Sequence, residues 1–321
     1  MSKMNTKALV EGAILASVTA VLGIMVYYMP FLSLLGMLWP TPIIIVGFRN
    51  GFKVSLISAI VAALIVGIFT EPFSGLYMFL VFGIAGIVMG TLMYKRVKPL
   101  INVTISGLVL AVCSVLGILL GFFIVGQSAA NAVEEMMNLM SQSIDSAAEV
   151  YRSLGVAEEQ LKATIDTMKE SLTAIRHVIP TLFLLSGMLF SFINYKFVRL
   201  VLGRMKLYIE DLKPFSCWRV PDNFSIGMMI ILLLTIIASN LGIPNMDTVQ
   251  INVIYIIKWV FTIIGLAAVS FLLDKYGIRK ALKAIILFLL FTSLSNYLAI
   301  AGLIDTIFDL RKLRKKHIGG I

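Results

Sequence analysis

From Ile101 to Val125 the chain runs without a single charge, and similar apolar runs recur along its length. A run of about 20 apolar residues is enough to cross a hydrocarbon core about 30 Å thick. Inside lipid the backbone must satisfy its own hydrogen bonds, so such runs are read as helices. With 59% hydrophobic and only 14% charged residues, and a mean hydropathy of +0.97, the composition lies far from the soluble norm. The expected class is an all-α integral membrane protein.

Five runs fill the first part of the chain: 8–28, 31–48, 52–69, 74–94 and 101–125. The second is interrupted by Trp39-Pro40-Thr41-Pro42, where two prolines remove backbone donors and break a regular helix. Further runs cover 179–202, 224–241, 249–273 and 284–304. The last reads as one span by length. A break near Ser295-Asn296-Tyr297 would instead send a short helix back and leave the basic tail from Arg311 to Lys316 on the starting side. The expected total is about nine to ten membrane segments.

Between the fifth and sixth runs the character changes. From Ser128 to His177 apolar residues fall at Val133, Met137, Met140, Ile144, Ala147, Tyr151 and Leu154, then at Leu161, Ile165, Met168, Leu172 and Ile175. This alternation of four and three is the seam of a helix that packs on one partner helix. With Gly155 at the break, the spacing predicts an antiparallel helical hairpin closing on itself. The hairpin carries eight acids against four bases, a net of −4, so the rest of the chain holds +14 of the overall +10. That excess sits in short loops such as Lys95-Arg96-Val97-Lys98 and Arg204 to Lys206, which marks them as cytoplasmic. Lys3 and Lys7 place the N-terminus inside, five crossings place the hairpin outside, and the even count returns the C-terminus inside. The positive charge therefore sets topology rather than binding nucleic acid. The expected division is a membrane domain over 1–127, the extracytoplasmic hairpin over 128–177 and a second membrane domain over 178–321.

No catalytic motif is present: the chain has no Walker A sequence, no HExxH, no CxxC and no GxSxG. Its two histidines, His177 and His317, have no partner at metal-ligand spacing. The expectation is a protein without catalytic chemistry, metal or cofactor. Three patterns remain as candidates. Gly12, Ala16 and Ala20 repeat every fourth residue of the first run, which lets another helix approach closely, either within the chain or from a partner. Trp39, Pro40 and Pro42 break the second run. Lys258, Asn296 and Asp305 are polar groups within apolar surroundings, where charge is costly and marks function by default. Lys258 either snorkels outward or binds an anionic solute or Asp305, whereas Asp305 and Asp309, with Arg311 and Lys312 beside them, read as a solvated inner end. Asn194, Tyr195 and Asn296 read as interhelical hydrogen-bond partners or ligands.

The basic N-terminus, the small-residue first span and Trp39-Pro40-Thr41-Pro42-Ile43 to Gly47, followed by Arg49-Asn50-Gly51 to Lys53, resemble the substrate-capture (S) components of energy-coupling factor transporters. That resemblance implies a vitamin-like solute bound near the outer face. It also implies docking of Gly12, Ala16 and Ala20 on a transmembrane coupling subunit with associated ATPases. It covers about the first 126 residues. The whole chain, through the hairpin, Phe215-Ser216-Cys217-Trp218-Arg219-Val220-Pro221 and Gly302-Leu303-Ile304-Asp305 to Arg311, is similar to the YybS-like family of predicted bacterial membrane proteins.

The expected function is small-solute binding or transport association in a bacterial cytoplasmic membrane. Its site is expected at the outer side, between the proline-broken second run and the C-terminal helices. The alternative is a membrane scaffold or sensor that contacts a partner through its acidic hairpin.

Overall fold

The computed structural model describes residues 5–221 and 223–313. It is 85% helix, with no strand among the described residues. Among the described residues, eight helical segments are long and apolar enough to cross a membrane, and one shorter apolar helix joins them. Lys3 and the tail from Arg314, on which the expected sidedness of the termini rests, lie outside the described residues.

The chain forms two compact units, Met1–Leu212 and Lys213–Ile321. The first contains α1 (Thr6–Tyr28), a 3-10 segment (Pro30–Leu38) leading into α2 (Pro40–Asn50), and α3 (Phe52–Phe69). Next come α4 (Pro72–Met78), a π turn (Phe79–Gly83), α5 (Ile84–Tyr94) and α6 (Pro99–Val125). The hairpin helix α7 (Ala129–Ser153) follows, then α8 (Glu158–Arg204). Prolines at the first position of α2, α4 and α6 start these helices where a missing N–H costs nothing.

The division falls at 212 rather than at 127 and 178 because α8 is continuous. Its 47 residues, about 70 Å of helix, form the second arm of the hairpin and then run on past Pro180 to pack along α6. The sixth apolar run thus belongs to the first unit, and the hairpin is an extension of it.

The hairpin closes on itself, turning at Gly155 with φ +80°. Lys169 pairs with Asp145 at 2.7 Å, Arg176 with Glu134 at 3.6 Å, and Arg152 with Glu158 across the turn at 3.0 Å. The seam is shifted from the one expected. Ala148, Leu161 and Leu172 are buried, whereas Met140, Tyr151, Leu154, Met168 and Ile175 are exposed. The shielded positions of α7 are Val133, Met137, Ser141, Ile144 and Ala148, stepping by four, four, three and four, as an 11-residue repeat does rather than a heptad.

Lipid offers helices no hydrophobic reason to associate, so close backbone approach has to supply the contact. Paired glycines provide it. Gly47 meets Gly90 between α2 and α5, and Gly107 meets Gly187 between α6 and α8. The small face of α1 serves the same end. A Cβ on Gly12 would lie 2.7 Å from Ser58 Oγ of α3. Ala16 and Ala20 are buried in one cluster with Trp39, Ala62 and Val66, and a Cβ on Gly23 would lie 2.9 Å from the Trp39 indole nitrogen. The docking role expected for Gly12, Ala16 and Ala20 is therefore corrected: the small face accommodates α3 and Trp39, and no surface of it is left for a partner.

At the end of the unit opposite the hairpin, the segment after α8 folds back as a strap. Ile209 and Leu212 enter the core cluster of Ile44, Phe48, Met93, Val198 and Leu202. Asp211 pairs with Lys196 at 2.7 Å and Arg199 at 3.0 Å. Tyr195 donates to the Glu210 carbonyl and Arg96 to the Tyr208 carbonyl. Burial pushes the Asp211 carboxyl up, but Lys196, Arg199 and the Leu212 N–H outweigh it and hold it below the ordinary carboxylate value.

The second unit contains a short 3-10 turn (Phe215–Cys217), α9 (Phe224–Asn240), α10 (Met246–Lys275) and α11 (Lys280–Phe308). The expected break in the last run falls one residue early, at Leu294, whose φ −127° and ψ 28° are not helical. Thr262 of α10 donates to the Ser295 carbonyl just after it, and Gly302 packs on Phe261 and Gly265. Lys283 near the start of α11 bonds Asp274, and Ser216 bonds the same carboxylate. Arg311, just past the end of α11, bonds the Ser216 and Trp218 carbonyls. Both ends of α11 thus lie at one end of this unit, and the helix bends back at Leu294.

A Cβ on Gly302 would collide with the Phe261 carbonyl, whereas Gly203 of α8 faces open space. Gly302→Val is expected to cost at least about 1–3 kcal/mol by overpacking, lowering the thermal midpoint in detergent or abolishing a monodisperse peak. Gly203→Ala is expected to leave both unchanged or to raise the midpoint slightly.

Candidate functional site

The six solute-site candidates divide evenly between the units. Trp39, Pro40 and Pro42 lie in the first, and Lys258, Asn296 and Asp305 in the second. Trp39 is 1% exposed and packs on α1 and α3; its indole N–H has no hydrogen-bond partner. Pro42 is buried within α2. Lys258 is half-buried and forms no ion pair among the described residues, so the pairing with Asp305 expected as one option is corrected. Asn296 is exposed. Pro40 and Asp305 each line a cavity.

Pro40 opens on a small cleft. Its walls include Ile44 of α2, Phe82 of the π turn, Gly86 of α5, Leu110 of α6 and Phe190 of α8. Two irregular spans therefore meet at one cleft. In the second span Pro40 cannot donate to the Met37 carbonyl, and Asn194 Nδ2 does so at 2.9 Å. The same amide donates to the Phe190 carbonyl and its oxygen accepts from Thr41 Oγ1. In the fourth span the π turn over Phe79–Gly83 points Phe82 at the cleft, and such turns are common at functional sites. The remaining polar groups are Ser106, which donates to Asn102 Oδ1, and Ser191, which donates to the Val103 carbonyl. With no charged side chain and every polar one engaged, the cleft suits an uncharged, largely apolar guest.

Asp305 lies in a different environment. It is 6% exposed and Arg311 7% exposed, so the solvated inner end expected there is corrected: the pair is buried. Arg311 Nε and Nη2 both donate to Asp305 Oδ2, at 2.9 and 2.7 Å. Its Nη1 donates to the Ser216 carbonyl at 2.7 Å, and Nη2 also to the Trp218 carbonyl at 2.8 Å. Arg311 thus ties the end of α11 to the loop before α9. A small cavity beside the pair is lined by Arg219, Asp305, Thr306, Asp309 and Arg311. Sequence reasoning placed Arg311 in a solvated inner end and missed its contacts, because its carbonyl acceptors lie more than 90 residues away. The one sequence cue was an acid and a base six residues apart across a helix end.

The family model of predicted membrane proteins DUF2232 matches residues 17–306. The chain belongs to that family. It is 30% identical over 314 residues to the uncharacterized protein YybS of Bacillus subtilis (strain 168), covering 96% of this chain and 98% of the relative. No solved structure matches. The family match takes in the cleft and Asp305, and stops short of Arg311.

Removing one member of a buried ion pair leaves an uncompensated charge and costs about 3–5 kcal/mol, whereas replacing both by apolar groups is often neutral. Arg311→Met is expected to lower the thermal midpoint sharply in detergent. The double variant Asp305→Leu/Arg311→Met is expected to recover most of that loss. An additive double variant would show that the two side chains do not act as a pair.

Proposed function

We propose that this protein is a multispanning, small-solute-binding membrane protein, associated with transport and without catalytic chemistry of its own, whose solute occupies the cleft at Pro40. The observation that carries this reading is the meeting of two broken spans, one at Pro40 and one at the π turn, on a single cleft. Discontinuous helices in membrane transporters mark the places where substrates and ions bind. The guest would be uncharged, because no ionised group faces the cleft. A ligand-dependent rise in thermal midpoint, found by screening small uncharged metabolites on the purified protein, tests the assignment. Ala85→Leu, which adds volume to the cleft wall, is expected to cancel that rise while the protein still folds. A rise that persists in this variant would place the ligand elsewhere.

The resemblance to substrate-capture components supports a coupling subunit with ATPases as partner. Any such subunit would have to use a side of α1 other than Gly12, Ala16 and Ala20, such as Val10, Ile14 and Val21, which are exposed.

The second reading, a scaffold or sensor, is favoured by the exposed Met136, Leu139, Met140, Val150 and Leu154 of the acidic hairpin. Replacing residues 129–174 by a short linker separates the two. Retained ligand binding supports the cleft; loss of a cell-envelope contact with no ligand found for either form supports the scaffold.

The charge pattern supports a bacterial cytoplasmic membrane with the hairpin outside and both termini inside. Leu154→Cys, 72% exposed at the hairpin tip, in a background with Cys113→Ser and Cys217→Ser, is expected to react with an impermeant thiol reagent in intact cells. Labelling only after the membrane is opened would invert this topology.

A further inference from the structure

The hairpin keeps its charges on one side and its apolar surplus on the other. An α-helix advances about 100° per residue, so the contact between α7 and α8 fixes where every other side chain points. By that spacing the eight acids and four bases of residues 128–177 all fall on one side of the plane through the two helix axes. The pairs Asp145–Lys169, Glu134–Arg176 and Arg152–Glu158 bridge the helices there. The other side carries no charge. On it α7 presents Met136, Met140, Ala147 and Val150, and α8 presents Met168 and Ile175, all of them exposed. With Ser143, the α7 positions alternate in steps of four and three, a second seam beside the one that meets α8.

The hydroxyls of this face are already engaged. Ser143, Thr164, Thr167 and Ser171 each donate to the carbonyl four residues earlier in their own helix, at 2.8 to 2.9 Å. Covering the face therefore strands none of these donors. A long apolar patch in water calls for such a cover.

A bilayer surface is not that cover. The hairpin arm and the membrane span of α8 are one helix, so the hairpin stands off the membrane instead of lying on it. Helices that do lie on a membrane are rich in Lys and Arg, whereas acids outnumber bases here by eight to four. A second copy of this chain fits on three counts. Two copies in one membrane hold their hairpins at the same height and in the same orientation, so the seam meets itself about a twofold axis. Face to face, the net charge of −4 on each hairpin lies on the outer side of the pair, away from the contact. The 25 residues of α7 give a face about 37 Å long, and two packed helices make it about 20 Å wide. That is about 700 Å² on each copy, close to the roughly 800 Å² per partner of a stable interface.

We propose that two copies of this protein associate through the uncharged face of the hairpin. The contact does not depend on a solute in the cleft at Pro40, and it leaves the acidic sides of both hairpins open.

The test uses the full-length protein with Cys113→Ser and Cys217→Ser as background. In membranes, Ala147→Cys on the uncharged face is expected to give a covalent dimer with a short bifunctional thiol reagent. Glu149→Cys, on the charged side, is expected to remain a single chain on a denaturing gel. Ala147→Glu/Val150→Glu sets like charges against each other across the contact and is expected to weaken association at least about tenfold, measured by light scattering in detergent. Its helical content is expected to be unchanged, because neither side chain lies between α7 and α8. If that variant does not fold, the comparison of positions 147 and 149 decides. Absence of a crosslink at position 147, equal crosslinking at both positions, or association that the folded double variant leaves unchanged would overturn the proposal. So would a crosslinked product whose mass is not that of two chains, which would assign the face to a different protein.

Discussion

A carbonyl released inside the hydrocarbon needs a donor, because no water is there to supply one. This requirement accounts for more of the structure than the apolar packing does. Pro40 frees the Met37 carbonyl, and Asn194 on α8, more than 150 residues away, takes it. The bend at Leu294 disturbs the bonding of α11, and Thr262 on α10 reaches the Ser295 carbonyl. Ser55 reaches Ile43, Asn102 reaches Met89 and Ser191 reaches Val103 in the same way. Each is a side chain on one helix donating to the backbone of another, so each break in a span is also a link between spans.

These links explain why the first unit extends to residue 212. Asn194 supplies a donor to the broken second span and Ser191 ties the start of α6 to α8, so α8 is linked to the helices that precede it. The glycine pairs have the complementary role: they bring backbones near enough for short side chains such as Ser and Thr to reach across. The small face of α1 follows the same logic. Its alanines and glycines make room for Trp39, so two features that look independent in the sequence are the two halves of one contact.

The sequence made the spans legible because length and charge mark them directly. The first five membrane segments begin and end within two residues of the expected runs. The hairpin and its self-closure were legible too, since its ion pairs and seam are local. Its phase was not: Met140 and Ala147 fit a heptad as well as Ser141 and Ala148 fit the observed seam, and packing on α8 decided between them. Asp305 drew attention as a carboxylate in an apolar run, but its partner did not, because nothing local says that the chain beyond α11 turns back to meet Ser216 and Trp218. Long-range closure of this kind leaves no periodicity to read.

The breaks also bear on what the first unit can hold. A helix that is interrupted cannot pack along its whole length, and the cleft at Pro40 lies beside such an interruption. Every polar side chain around it has a partner within the protein, so a guest gains little from hydrogen bonding and is selected by shape and apolar contact.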